Sequence, residues 1–176
     1  MKKKIIVVIV LLAAGTGVFA QGESVMKFFS KYSGDESFTS ATVSSKMFSL
    51  FTNMEVESPE DQEVLNAISK LKGLRILGKE NTSDADRLYK EAAGYITKDY
   101  EQLMEVRDPD KNMKFYITEK GGKISELLML MGGKDDFMIM SLFGEIDLKQ
   151  ISKIGHKMNV GGLENLQKMD DGKKKN

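Results

Sequence analysis

Hydrophobic and polar positions along this chain change period near residue 100, from helical spacing to strand alternation. Val25, Phe28, Phe29 and Tyr32 fall on one helical face, so residues 24–32 are predicted as a helix, broken by Ser33-Gly34-Asp35. Residues 38–43 are rich in strand formers and read as extended. Met47, Phe48, Phe51 and Met54 restore helical spacing over 45–54. Ser58-Pro59-Glu60-Asp61 supplies an N-cap, a first-turn proline and an acidic residue three after the cap. The helix it starts buries Val64, Leu65, Ile68 and Leu71, and Gly73 is expected to end it in a left-handed conformation. Leu74 and Ile76 then alternate with Arg75 and Leu77 as a strand. Ser83 and Asp86 form a second capping box, ahead of a helix burying Ala85, Leu88, Tyr89, Ala92 and Ile96.

Beyond this point the period is two. Tyr100, Met104 and Val106 alternate with Glu101, Glu105 and Arg107, and Asp108-Pro109-Asp110-Lys111-Asn112 is a turn. Met113, Phe115 and Ile117 alternate with Lys114, Tyr116 and Thr118. Gly121-Gly122 and Gly132-Gly133-Lys134-Asp135 separate two more strands, 123–131 and 136–143. A last helix is capped by Asp147, buries Leu148, Ile151 and Ile154, and stops at Gly155. The expected fold is α+β: a mostly antiparallel sheet ending in a four-stranded meander, helices packed on it, and one further helix at the C-terminus.

The final two strands depart from the pattern of a half-buried sheet. Leu127, Met129 and Met131 point one way from 123–131, while Ile124, Leu128 and Leu130 point the other. Phe137 and Ile139 oppose Met138, Met140 and Leu142 in the next strand. An antiparallel strand with one wet face should carry polar residues there. Either helices cover both faces, or one face is an apolar surface for a partner or a greasy ligand, which flexible methionines suit. The candidate apolar surface comprises Met129, Met131, Phe137, Met138, Ile139 and Met140.

The order of these elements resembles a family. An aromatic helix, a Met47-Phe48 helix, a Gly-Leu-Arg-Ile strand at 73–76 and a meander ending Phe143-Gly144-Glu145-Ile146-Asp147-Leu148 are similar to the Bacteroidota domain of unknown function 4252 over roughly residues 24–155. The resemblance implies an exported α+β envelope protein and brings no activity, cofactor or catalytic residue.

The ends of the chain change the picture more than its bulk composition does. Lys2, Lys3 and Lys4 precede an apolar run over 5–14, and Val18-Phe19-Ala20 supplies a cleavage site. Gly15-Thr16-Gly17 interrupts the run short of the roughly 20 apolar residues that span a bilayer. Residues 1–20 therefore read as a signal peptide rather than a transmembrane anchor, 21–157 as one domain, and 158–176 as a flexible polar tail. Removing three lysines leaves 23 basic residues against 26 acidic ones, a net charge of about −3 that disfavours nucleic acid. Cysteine is absent, which excludes disulfides, thiol catalysis and a lipid-modified N-terminal cysteine. The expected location is periplasmic or secreted, in soluble form.

Candidate chemistry is thin. His156, the single histidine, follows Gly155 between Lys153 and Lys157, where a cation complements a helix C-terminus. Asp108, Asp110, Asn112 and Glu119 match positions of a calcium loop, but Met113 stands where that loop needs glycine. The Gly-Gly-Lys runs at 121 and 132 precede strands, not the helix N-termini that phosphate loops require. Carboxylates pair at Glu55 and Glu57, Glu101 and Glu105, and Asp135 and Asp136, with no serine in a nucleophile-elbow context. No cofactor is expected. The leading expectation is a non-enzymatic module that binds a protein partner or an apolar ligand, a homodimer included; the competing one is a hydrolase acting through carboxylates.

Overall fold

A computed structural model describes residues 23–52, 56 and 58–157. The residues read above as a signal peptide, Met54 and residues 158–176 lie outside them, as do the side chains of Phe51, Ile154 and His156. Six strands form one antiparallel sheet: β1 (Thr39–Ser44), β2 (Leu71–Lys79), β3 (Glu101–Arg107), β4 (Lys111–Lys120), β5 (Lys123–Gly133) and β6 (Phe137–Ile146), in the order β1-β2-β6-β5-β4-β3. The meander expected from the alternating half is β3 to β6. The two earlier extended segments add to its β6 edge, with Ile76 opposite Met140 and Leu77 opposite Ile139.

Among the described residues, five helices accompany the sheet: α1 (Glu23–Tyr32), α2 (Ser45–Phe51), α3 (Pro59–Ser69), α4 (Ala85–Gly94) and α5 (Leu148–Lys157). On one face, Val25, Phe28 and Phe29 of α1 and Ala85, Leu88 and Ala92 of α4 bury Leu77, Leu128, Leu130, Phe137 and Ile139. The Phe28 ring lies 5.7 Å from that of Phe137, within the range of favourable aromatic pairing. On the other face, Phe48 of α2, Ile68 of α3, and Leu148 and Ile151 of α5 pack with Leu71, Leu127, Ile117 and Leu142. Helices on both sides explain why the central strands are apolar on both sides. Two helix starts follow the sequence reading: the Ser58 hydroxyl accepts from the Asp61 amide at 3.0 Å, and Asp147 accepts from the Gln150 amide at 3.1 Å.

Several local expectations are corrected. α3 ends at Ser69, four residues before Gly73, because the Lys70 amide closes back on Ala67 and the Lys70 carbonyl is taken by the Glu145 amide. Leu71 and Gly73 therefore belong to β2, and the Phe143 ring lies against the bare face of Gly73, where a Cβ would overlap it. Asp84 rather than Ser83 stands at the N-cap position of α4, with no capping bond from its side chain, and its amide donates to the Thr82 hydroxyl. Thr82 is itself pinned by its amide to the Asp135 carbonyl. That helix stops at Gly94, so Ile96 packs on the core from beyond it. Gly132 and Gly133 lie inside β5 rather than in the turn. α5 runs through Gly155 to Lys157, an interior glycine costing a helix about 1 kcal/mol.

Bulges reassign two residues between faces. The register shifts between Ile124 and Glu126 and again between Gln102 and Met104. Each extra residue inverts the alternation beyond it. Ile124 thus joins Leu127 and Met129, and Tyr100 lies in the opposite core from Met104.

Candidate functional site

The face beneath α2, α3 and α5 is unevenly covered. Strand register arranges its side chains in rows across the sheet. The row nearest the helices contains Leu74, Leu142, Leu127 and Ile117, of which the last three are buried. The next runs Ala41, Ile76, Met140, Met129, Phe115, Met104. The outermost runs Thr39, Gly78, Met138, Met131, Met113, Val106. Phe115 and Met129 are buried, whereas Met104, Met113, Met131, Met138 and Met140 are half-buried and Val106 is 38% exposed. Six of the chain's twelve methionines thus share two adjacent rows at one end of one face. The Lys111–Asp136 ion pair, 3.4 Å long, stands at the same end of the sheet.

Of the six residues expected to form an apolar surface, four (Met129, Met131, Met138 and Met140) belong to these rows. Phe137 and Ile139 do not. They point to the opposite face and are 1% and 0% exposed beneath α1 and α4, so they are core. Alternation placed them on the other side correctly but could not see that helices close that side. Met104 and Met113 were missed as site residues, because only strand pairing brings β3 and β4 alongside the β5 and β6 methionines.

Among the described residues, polar groups also converge away from these rows, in places invisible to local sequence. A cleft of about 770 Å³ at the far end of the sheet is lined by Glu63 of α3, Glu101 of β3, Glu119 of β4, Glu145 of β6 and Asp147. Three of its carboxylates are engaged in structure. Asp147 caps α5, Glu63 accepts from the Gln150 amide group at 3.3 Å, and Glu145 meets Lys123 at 2.7 Å and Lys70 at 3.1 Å. Hydrogen bonds from those two lysines hold the Glu145 carboxyl below its usual range. A general acid at neutral pH needs the opposite shift.

The second convergence is a half-buried carboxylate beside the core under α1 and α4. Glu126 accepts from the Tyr100 hydroxyl at 2.8 Å and from the Ser141 hydroxyl at 2.6 Å. Burial, followed by the charge of Glu126, pushes the Tyr100 phenol well above its ordinary value. A phenol whose folded pKa is raised contributes stability that is fully present below the unfolded value of about 10 and is lost as pH rises beyond it. Thermal stability should therefore fall above pH ~10 more steeply in the wild type than in Tyr100→Phe, with a residual slope from Tyr89 and Tyr116, which burial also raises. Equal slopes in thermal melts from pH 8 to 11 would refute this.

The remaining motifs take ordinary structural places. Asp108 accepts from the amides of Asp110 and Lys111 at 2.9 and 2.8 Å, closing the β3–β4 hairpin, and Glu119 lies near the other end of β4. Gly121 and Gly122 turn β4 into β5. Among the described residues no group of three acidic or histidine side chains could hold a metal ion, and no helix is long and apolar enough to cross a membrane.

The fold and face define an α+β domain: one antiparallel sheet between two helical layers, with an incompletely covered methionine-rich end. The chain belongs to the family described as Domain of unknown function (DUF4252), which matches residues 32–154. No curated protein and no solved structure matches it.

Proposed function

We propose that this chain is an exported, non-enzymatic envelope protein of a Bacteroidota cell, soluble after loss of its signal peptide. It acts as a binding module whose methionine rows receive an apolar segment of a protein partner, a second copy included, or an apolar ligand. The carrying observation is the asymmetry of the sheet: one face is closed by α1 and α4, while the other leaves Met104, Met113, Met131, Met138, Met140 and Val106 partly open at one end. Contiguous apolar surface on a folded domain commonly marks an interaction site, and unbranched methionines repack around differently shaped partners. The test is a Met138→Lys, Met140→Lys variant. Loss of self-association in sedimentation, or of an envelope partner or apolar probe, in a protein that stays folded supports the reading; unchanged binding refutes it.

A second reading, a hydrolase acting through carboxylates, draws on the cleft with Glu101, Glu119 and Glu145. It is the weaker one, since Glu145 is shifted away from general-acid behaviour and the cleft is open to water.

A further inference from the structure

A groove separate from the methionine rows lies where α2, the start of β2, the β4–β5 hairpin and the end of β6 meet. It has a volume of about 770 Å³, and its charged lining is Lys46, Lys70, Lys72, Lys120, Lys123 and one carboxylate, Glu145. Glu145 is shared by Lys70 and Lys123. Among the described residues, Lys46, Lys72 and Lys120 make no ion pair, and the groove's own lining carries five positive charges against one negative, while through Lys70, Lys123 and Glu145 it adjoins the acidic cleft. This happens on a chain whose mature charge is about −3. The positive potential is therefore local to this lining.

We propose that this groove binds a discrete multivalent oxyanion, a phosphate- or carboxylate-bearing small molecule or glycan. The volume is within the ordinary range for small-molecule sites. Lysine ammonium groups are strong point-charge partners for such anions. Several converge from four elements, which suits a ligand carrying more than one charge. An extended nucleic acid would meet the carboxylates of the adjoining cleft, Glu63, Glu101, Glu119 and Asp147. Glu145 holds two of the lysines in place and competes with the ligand for them.

Calorimetric titration of the mature chain at low salt, with inorganic tripolyphosphate and with citrate as probes, tests this. Saturable one-site binding that weakens as salt rises is expected for at least one probe. Lys72→Gln, Lys120→Gln should weaken it about tenfold or more, whereas Lys27→Gln, Lys98→Gln, the same charge change elsewhere, should not. Glu145→Gln should tighten it. The substituted lysines are exposed, so circular dichroism should show a wild-type fold. Absence of saturable binding, equal weakening in the control variant, or binding only to phosphatidylglycerol vesicles would each overturn the proposal.

Discussion

Phe137→Lys, Ile139→Lys should unfold the domain, whereas Met138→Lys, Met140→Lys should leave it folded. The four residues alternate along one strand, yet their surroundings differ. Phe137 and Ile139 have 1% and 0% exposure, and helices α1 and α4 cover them. An ammonium placed there finds no route to water, and each uncompensated buried charge costs several kcal/mol. Two such charges are comparable with the whole stability of a domain, about 5–15 kcal/mol. Met138 and Met140 lie in the partly open rows, where a lysine lays its methylenes on the sheet and carries its charge to solvent. Their replacement should cost no more than about 1–2 kcal/mol. Circular dichroism with thermal melts separates the pair. Unfolding of both variants would show that the methionine rows are also core and would remove the basis for a binding surface.

Gly144→Val, near the end of β6, should be strongly destabilising. Gly144 has φ of 142°, and a Cβ there would lie 2.6 Å from the Lys70 carbonyl oxygen and 2.7 Å from the Leu71 Cα. Both obstacles are backbone, held by the bond from the Glu145 amide to the Lys70 carbonyl, so no side chain can rotate away. Backbone strain and overpacking together should cost about 2–6 kcal/mol. Gly94, the last residue of α4, has open space where a Cβ would sit, so Gly94→Ala should change stability by less than about 1 kcal/mol. Urea melts measure both, and a valine at 144 as benign as the alanine at 94 would contradict the geometry.

The Met rows and the lysine groove occupy different ends of the structure. This lets the two proposed activities be tested independently. Substitutions at Met138 and Met140 should not alter anion binding, and those at Lys72 and Lys120 should leave apolar association intact, since sites without shared partners act additively.

The amino-acid sequence by itself determined the element types and the direction of most side chains. Strand alternation separated Met138 and Met140 from Phe137 and Ile139, and capping residues located the starts of α3 and α5, because periodicity and caps are set by neighbours a few positions apart. Where a local signal competed with a distant partner it misled. Gly73 looks like a helix terminator, but the Lys70 carbonyl is claimed by Glu145, 75 positions along the chain, and the glycine is needed instead beneath the Phe143 ring. Bulges that re-aimed Ile124 and Tyr100 arise from pairing between strands and leave no mark in a single strand's pattern. Only the tertiary structure decided which face of β6 is closed, gathered methionines from β3 to β6 into two rows, and drew five lysines from separate elements around one groove. Coverage and convergence depend on where whole layers pack, and hydrophobic burial, which drives that packing, has no direction along the chain.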